Sequence, residues 1–383
     1  MATLRKLQLL VGFFSFSLLL SGCGEQDSVY EGVNGTDVLP TISPNKPSTG
    51  DQFEEPELQP VPTPEPELDL STVPDGQISV DGKLYTSVTT AASALVDGST
   101  MVVGNGIYNK GMLVKADNVT IQGSGKTHFK GAQIHGKATF VVDGDAVTIE
   151  NIECSQVAVP DNNGACVRQQ GRDLTLNNVY FHDSQQGILS AKGTGDLTIA
   201  HSRFERLGKL GRAHGIYSHN DTLNIRYSQI LSSKDQGHEV KSRAKKTVIE
   251  FSVIASLNGN DSRLLDISNG GELVVRNSVI EQGPRSVNYQ MIGFAVEGPH
   301  TDVPHSVLLE DNIILMDHGR KNVLLGLPSS YNSFDIEIRN NDFIGSPFYD
   351  SGKHNIPARN ELYSDRQSYG LDAYPALPDI GIN

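Results

Sequence analysis

The chain has 383 residues, of which 37% are hydrophobic, and a formal net charge of -14. This hydrophobic content supports a folded core but argues against a protein with several membrane spans. Three cysteines are too few for a disulfide-built scaffold or an all-cysteine zinc module. The acidic balance argues against binding to nucleic acid through overall charge, so no nucleic-acid partner is predicted.

The first 22 residues are typical of a secretory signal. Two basic residues precede an apolar run from Leu9 to Leu20, which is too short for a membrane-spanning helix. Leu20-Ser21-Gly22-Cys23 resembles a bacterial lipobox, which implies cleavage before Cys23 and attachment of lipid to its thiol. Gly24 follows the cysteine, and the resemblance then favours the outer membrane. We expect a protein anchored in the bacterial cell envelope through Cys23, or an extracellular one if the signal is an ordinary signal peptide.

Residues 23–76 form a proline-rich acidic segment. Between Gly24 and Gly76 there are twelve acidic residues and one basic residue, Lys46, so most of the net charge lies here. Such a composition cannot bury a core and predicts an extended, self-repelling linker between the lipid anchor and the folded domain.

Residues 77–345 contain one recurring phrase, in which two apolar residues flank a polar or apolar one. Val119–Ile121 is the first copy and Ile336–Ile338 the ninth, and the copies are 23 to 34 residues apart. Alternation within each phrase indicates a strand with one buried face, and a fixed repeat indicates a solenoid whose turns bury a core by stacking. We predict an all-β domain, a right-handed parallel β-helix. The last residues of the phrases are Ile121, Ile149, Leu176, Ile199, Ile225, Ile249, Val275, Leu309 and Ile338.

The two ends of the repeat differ from its middle. Tyr85 to Val96 has helical character and resembles the capping helix of pectate-lyase-like β-helices, so a short N-terminal capping helix is expected. Residues 346–383 lack the phrase and are expected to cover the other end. Cys154 and Cys166 are twelve residues apart, which leaves a disulfide and two buried thiols as alternatives.

Positive charge is concentrated in one part of the repeat. From His201 to Lys246 there are ten Lys or Arg residues against four acidic ones. A local excess of cations on an acidic secreted protein indicates an anionic substrate, although a solvated charged face is the simpler alternative. His182 and His201, which lie in turn-rich segments, are interpreted as structural.

The repeat also predicts which of these residues lie together. His214 and His238 each stand eleven residues before an anchor, Ile225 or Ile249. Tyr217 and Lys241 each stand eight before the same anchors, and His219 and Arg243 each six before. Stacked turns therefore place the members of each pair on neighbouring strands, about 5 Å apart. Strand alternation predicts outward side chains for Tyr217, His219, Glu239, Lys241 and Arg243. The next turn adds Arg263, Asp266 and Asn269, of which Asp266 is expected to face outward.

This residue set suits β-elimination from a uronate polymer. That reaction needs a cation at the carboxylate, a base for the C5 proton and an acid for the leaving O4. Arg243 is the expected carboxylate ligand, because its planar fork binds one bidentately. Lys241, if nearby cations lower its pKa, and His238 are the candidate bases. Candidate acids are Tyr217, His219 and Arg263, and candidate substrate-binding residues are His214, Glu239, Asp266 and Asn269.

A family resemblance supports the same reaction. Gly237 to Ala244, followed by Asn269-Gly270-Gly271, resembles chondroitinase-B-type and alginate lyases, which carry a Glu, then Lys-Ser, and an Arg about one turn later. Glu239, Lys241-Ser242 and Arg263 occupy those positions. The resemblance implies Lys241 as base and Arg263 as acid. Leu264-Leu265 after Arg263 departs from the Arg-His-Gly run of the alginate lyases. The whole chain, with its lipobox-bearing signal, also resembles a polysaccharide lyase of biofilm matrices.

Three other functions remain open. A C5-epimerase shares proton abstraction with the lyase, a glycoside hydrolase needs grouped carboxylates, and a non-catalytic β-helix needs only to bind polysaccharide. No cofactor is assigned; Ca²⁺ bound through Glu239, Asp235 or Asp266 is left open, and no metal ligand is assigned. The expected partners are an acidic polysaccharide and the membrane, and the chain is expected to be a monomer.

Overall fold

The computed structural model of the chain describes residues 73–318, 322–329, 333–345 and 359–382. The signal segment, Cys23 and the linker up to residue 72 lie outside the described residues, so lipidation at Cys23 and an extended linker stay predictions. No helix within the described ranges is long and apolar enough to cross a membrane.

The described elements, in chain order, are β1 (Ile78–Val80), β2 (Lys83–Tyr85), α1 (Val88–Ala92), β3 (Thr100–Val103), β4 (Gly106–Tyr108), β5 (Met112–Val114), β6 (Thr120–Gly123), β7 (Thr127–Lys130), β8 (Ala138–Val142), β9 (Val147–Glu150), β10 (Glu153–Ser155), β11 (Ala165–Gln169), β12 (Leu174–Asn177), β13 (Tyr180–His182), β14 (Gln186–Ser190), β15 (Asp196–Ala200), β16 (Arg203–Glu205), β17 (Ile216–Ser218), β18 (Thr222–Arg226), β19 (Gln229–Leu231), β20 (Val240–Ser242), β21 (Lys246–Glu250), β22 (Val253–Ala255), β23 (Leu265–Ile267), β24 (Glu272–Arg276), β25 (Val279–Gln282), β26 (Gln290–Phe294), β27 (Ser306–Glu310), β28 (Ile313–Met316), β29 (Val323–Gly326), β30 (Asp335–Arg339), β31 (Asp342–Ile344), β32 (Glu361–Tyr363) and α2 (Arg366–Tyr369).

These strands form three long sheets, and each turn of the chain adds one strand to each sheet. Sheet A runs β2-β1-β3-β6-β9-β12-β15-β18-β21-β24-β27-β30. Sheet B runs from β4 to β31 and sheet C from β5 to β29 in the same steps of three, and β32 follows β31 at the end of sheet B. Nine complete turns, β3–β5 to β27–β29, are described. Neighbouring strands are parallel, apart from the antiparallel pairs that β1 makes with β2 and β3. The prediction of a parallel β-helix is confirmed.

The core is built from stacked rows of apolar residues, one of which is the row of anchors that the repeat predicts. In sheet A the nine anchors stack in register, from Ile121 opposite Ile149 to Leu309 opposite Ile338. In sheet B a second row begins at Tyr108 opposite Phe129, continues through Cys154 and Phe181, and ends at Phe343. Most members of both rows are fully buried. Each of these large side chains contributes about 1.5–3 kcal/mol by leaving water, and that contribution fixes the register.

The turn from sheet A to sheet B repeats a left-handed residue followed by a buried polar one. His201, Tyr227 and Asn277, which precede the buried Ser202, Ser228 and Ser278, have φ of 49°, 48° and 49°, a conformation that Asn adopts more easily than Tyr. At Tyr227 this conformation coincides with ring stacking, since the Tyr227 ring stacks on the rings of His201 and Phe251. His201 thus has the structural position expected of it.

Both ends of the repeat carry additional elements. Helix α1 follows Ser87 and buries Val88 and Ala91, as expected of the short N-terminal helix. At the other end β32 pairs with β31 and extends sheet B. The chain then packs apolar residues of 363–382 against the outer face of sheet B, and the Gln229 amide donates to the Ile382 carbonyl at 3.1 Å. Residues 346–358 lie outside the described ranges, so coverage of the far end stays a prediction.

Cys154 and Cys166 form a disulfide, with their Cα atoms 5.9 Å apart. It joins β10 of sheet B to β11 of sheet C, and both residues are fully buried. The alternative that the sequence left open is therefore resolved in favour of the bond.

Candidate functional site

The candidate site lies on the outer face of sheet C, around one column of side chains that face away from the core. Strand pairing aligns one residue of each successive strand, about 4.8 Å from the next. The aligned residues, called here the central column, are Leu113, Val141, Arg168, Leu189, Tyr217, Lys241, Asp266, Gly293 and Gly326. The register of Tyr217 with Lys241 confirms the predicted alignment.

Lys241 is an ion-paired ammonium group. Its Nζ lies 2.9 Å from Asp266 Oδ2 and 2.6 Å from Glu297 Oε1. Burial lowers the pKa of Lys241, but the two carboxylates outweigh burial and raise it above its ordinary value. The premise that neighbouring cations would lower this pKa is wrong, because anions are the closest charges. Lys241 is therefore a cation and an anchor for anions, not a free base.

Arg243 connects the column to a carboxylate on the neighbouring loop. Its Nε donates to the Tyr217 hydroxyl at 3.0 Å and its Nη1 to Asn269 Oδ1 at 2.8 Å, while Nη2 pairs with Glu297. Lys241 and Arg243 thus hold the Glu297 carboxylate between them. Only Nη2 of Arg243 meets a carboxylate, while Asn269 and Tyr217 hold the other two nitrogens, so bidentate binding of a substrate carboxylate by Arg243 stays a prediction.

His238 and His214 form a layer behind the cations. Their rings stack with centroids 4.9 Å apart, and the backbone N–H of His238 donates to His214 Nδ1 at 3.1 Å. His238 Nδ1 lies 3.0 Å from the Arg263 N–H nitrogen and 3.2 Å from the Arg263 carbonyl oxygen, and Nε2 lies 3.1 Å from Asp266 Oδ2. Both ring nitrogens of His238 are therefore engaged within the protein, which argues against a role as base. Burial lowers the pKa of His214, which is therefore neutral.

Asp266 is the buried counter-ion of this cluster. Burial raises the pKa of its carboxyl group, but His238, Lys241 and Arg263 lower it well below its ordinary value. Only 1% of its side chain is exposed. Asp266 therefore holds Lys241 and His238 in place. It cannot reach a polymer lying on the sheet, and this differs from its predicted role in substrate binding. His214, 2% exposed, is equally out of reach.

Glu239 does not point outward, so that prediction is wrong. Its side chain is fully buried, and Oε1 accepts the Ser233 N–H at 2.8 Å. Burial, and then the charge of Asp261, raise the pKa of Glu239 well above its usual range. The cause is local: Glu239 precedes β20 in the turn from sheet B to sheet C, where side chains do not follow strand alternation.

Arg263 lies on the outer face, which its candidate role as acid requires. Its Nε and Nη2 donate to Gln290 Oε1 at 3.1 and 2.7 Å, and Nη1 is 4.0 Å from Asp266. The side chain occupies the space above Gly293, where an added Cβ would be 2.9 Å from Arg263 Cδ. Glycine at this place in the central column therefore makes room for the guanidinium.

His219 is a neutral ring beside Tyr217. The two rings meet edge to face with centroids 5.0 Å apart. Burial lowers the pKa of His219 to about 4, and the charges of Arg243, Lys241, Lys192 and Arg168 add to that effect. Its Nε2 is buried without a hydrogen-bond partner among the described residues.

Sequence reasoning missed Arg168 and Glu297. Arg168 stands eight residues before the anchor Leu176, the same offset that identified Tyr217 and Lys241, so the register could have found it. Its Nε is buried and has no hydrogen-bond partner in the described ranges, and burial lowers its pKa. Glu297 lies between β26 and β27, where no repeat offset marks it.

The three acids named for calcium are engaged separately. Asp235 pairs with Lys209 at 3.1 Å, Glu239 is buried with Ser233, and Asp266 pairs with His238 and Lys241. Within the described residues, one group of three His, Cys, Asp or Glu side chains converges closely enough for a metal, and it lies on sheet B.

No protein-family model and no curated protein matches the chain. Among solved structures, the chain is similar to a pectin methylesterase of Erwinia chrysanthemi, with a TM-score of 0.37 and 13% identity over 78% of this chain and 96% of that one. A pectin methylesterase variant in complex with a hexasaccharide gives the same values. The parallel β-helix is established by the strand pairing of the chain itself, independently of this likeness.

Proposed function

We propose that the protein is a polysaccharide lyase that cleaves an acidic, uronate-containing polysaccharide by β-elimination. The observation that carries the proposal is a carboxylate held beside a phenol. Lys241 and Arg243 bind the Glu297 carboxylate, and the same Arg243 donates to the Tyr217 hydroxyl at 3.0 Å.

The Glu297 carboxylate stands in for the carboxylate of a uronate unit. A uronate bound by Lys241 and Arg243 would have its negative charge neutralised, which makes the proton on the adjacent C5 more acidic. The same contact brings C5 close to the Tyr217 oxygen, because Arg243 contacts both groups. Glu297, with 33% of its side chain exposed, lies on the open side of the cluster.

Tyr217 is the proposed proton-transfer residue. Its oxygen, which accepts a hydrogen bond from Arg243 Nε at 3.0 Å, removes the C5 proton in the phenolate form. The electron pair of the C5–H bond forms the C4–C5 double bond, the C4–O4 bond breaks, and O4 takes a proton as it leaves. Tyr217, now protonated and the nearest donor, supplies that proton. The neutral ring of His219 packs against Tyr217 without adding charge.

Arg168 extends the cationic surface beyond the reacting unit. Arg168 is two strands from Tyr217 in the central column, with Leu189 between them. The strand spacing, about 4.8 Å, is comparable with the length of one pyranose unit. A chain lying along the column would place a second acidic unit at Arg168 and an apolar sugar face at Leu189.

The test is absorbance at about 235 nm, where the C4–C5 double bond of the eliminated product absorbs, with a panel of acidic polysaccharides. The parent should produce the band and Tyr217→Phe should not, whereas Tyr227→Phe, which removes a phenol oxygen between sheets A and B, should act like the parent. Chain shortening without the band would indicate a hydrolase in place of a lyase. Deuterium entering C5 from solvent without chain shortening would indicate an epimerase. Binding of the polymer without either reaction would indicate a binding protein.

We further propose that this activity operates from the cell envelope, on the matrix polysaccharide around the cell. The lipobox-like segment ending at Cys23 supports an anchor, and the acidic linker supports a spacer. Radiolabelled palmitate should enter the parent and not Cys23→Ser. Equal labelling of both would contradict anchoring at this residue without bearing on the lyase.

A further inference from the structure

A second cluster of side chains lies on the outer face of sheet B, on three consecutive strands. His128 is on β7, Glu153 on β10 and His182 on β13. His128 is directly opposite Glu153, and His182 is opposite Ser155, two residues beyond Glu153. Parallel pairing thus brings two imidazoles and a carboxylate from three turns of the helix to one place.

The spacing of the cluster suits one metal ion. Glu153 Oε1 lies 3.0 Å from His182 Nε2 and 3.5 Å from His128 Nδ1, and the three ligand atoms are all within 4.8 Å of one another. Two atoms bound to one tetrahedral zinc at about 2.0–2.1 Å are about 3.3 Å apart. Two of the separations therefore match a shared ion, and a small side-chain adjustment brings in the third.

The outer contacts hold the ligands in place. His182 Nδ1 is 2.7 Å from Asp183 Oδ2, and Arg206 holds both oxygens of Asp183 at 2.8 and 2.7 Å. His128 Nε2 is 2.8 Å from the buried Ser155 hydroxyl. A metal-binding histidine commonly donates its second nitrogen to a carboxylate in this way, which fixes the ring and the tautomer.

The hydrogen-bond partners of His182 also indicate a bound cation. Both ring nitrogens face a carboxylate oxygen, Asp183 at 2.7 Å and Glu153 at 3.0 Å. A neutral imidazole donates through one nitrogen only. With Nδ1–H directed at Asp183, the lone pair on Nε2 faces the lone pairs of Glu153 unless a proton or a metal ion lies between them.

We propose that His128, Glu153 and His182 bind a divalent transition metal ion of the zinc type. Imidazole nitrogen favours such ions over Ca²⁺ and Mg²⁺, which prefer oxygen ligands. Three protein ligands leave a position for water. The side chains are 17%, 40% and 14% exposed, so the ion can enter from solvent. The ion would join three turns of the solenoid on sheet B, whereas the lyase site is on sheet C.

Cobalt(II) is the probe for this site, because its visible absorption reports the number of ligands. The full chain, purified in detergent and treated with a chelator, should bind one equivalent of Co²⁺ with a four-coordinate spectrum, and Zn²⁺ should displace it. Glu153→Gln and His182→Ala should abolish the band, while His201→Ala, a histidine away from the cluster, should keep it. Asp183→Asn should weaken the affinity about 10- to 100-fold.

Thermal melting of each variant distinguishes loss of the site from loss of the fold. Glu153, whose side chain is 40% exposed, is the substitution least able to disturb packing. Absence of cobalt binding by the parent, or an unchanged band in folded Glu153→Gln, would overturn the proposal.

Discussion

Arg243 Nε donates a hydrogen bond of 3.0 Å to the hydroxyl of Tyr217, a residue one turn earlier in the helix. The same guanidinium contacts Asn269 and Glu297 through its other two nitrogens. Three partners at fixed angles require a planar fork, which a lysine ammonium group cannot reproduce.

Arg243→Lys should therefore lower kcat and raise KM of the elimination reaction together. The loss in kcat/KM should be about 100-fold or more, since both the carboxylate contact and the Tyr217 contact are weakened. Steady-state rates at about 235 nm measure it. Arg203→Lys on sheet B, where Arg203 pairs with Glu205 and Gln229, is the matched control. Unchanged kinetics in Arg243→Lys would exclude Arg243 from the reacting site.

Arg168→Gln should raise KM with little change in kcat. Arg168 is two strands from Tyr217 and its Nε has no hydrogen-bond partner among the described residues, so its charge is available to a second acidic unit. We expect KM to rise about 5- to 30-fold at low salt, and less at high salt because ions screen the contact. Arg203→Gln serves as control. A fall in kcat at unchanged KM would place Arg168 in the chemistry instead of in binding.

Glu297→Gln tests whether this carboxylate competes with the substrate. Glu297 occupies the position between Lys241 and Arg243 that the uronate would take. Removal of its charge should lower KM several-fold, because two cations are then less neutralised before the substrate arrives. Substrate titrations at constant ionic strength give the comparison. An increase in KM would mean that Glu297 orients the cations and stays in place during binding.

Glu281→Gln should make the free energy of unfolding less sensitive to a rise in pH. Burial, and then the charges of Asp317 and Asp261, raise the pKa of Glu281 to about 8. Because the folded-state pKa lies above that of the unfolded chain, this group stabilises the fold at acidic pH, and the contribution is lost as pH rises through about 8. Asp261, with a pKa raised to about 6 mainly by burial, acts in the same direction.

Denaturant midpoints at pH values between about 5 and 9 measure this effect. The parent should lose stability across the range, and Glu281→Gln should lose less. The substitution keeps an acceptor for the Leu257 N–H, which bonds Glu281 at 2.8 Å. Glu272→Gln, an exposed partner of Lys246, should follow the parent. Parallel curves for parent and Glu281→Gln would contradict a neutral carboxyl at this position.

The sequence determined the solenoid and much of the central column. Nine apolar phrases set the register of sheet A, and equal offsets from Ile225 and Ile249 placed Tyr217 beside Lys241 and His214 beside His238. These relationships follow from a period that stacking preserves from turn to turn. The offset of eight would have found Arg168 by the same rule.

Only the tertiary structure decided the ionisation of the site residues and the burial of side chains in the turns. Glu239 lies in a turn, where strand alternation no longer gives the side-chain direction, and it is buried beside Asp261. Glu297 reaches Lys241 from a loop 56 residues later in the chain, and with Asp266 it keeps Lys241 protonated. The period of a repeat predicts which residues stack, because every turn of the helix follows the same backbone course. It does not predict how closely a non-repeating loop approaches the sheet. The ionisation of a side chain depends on its distances to such loop charges, because Coulomb interactions act between neighbours in space.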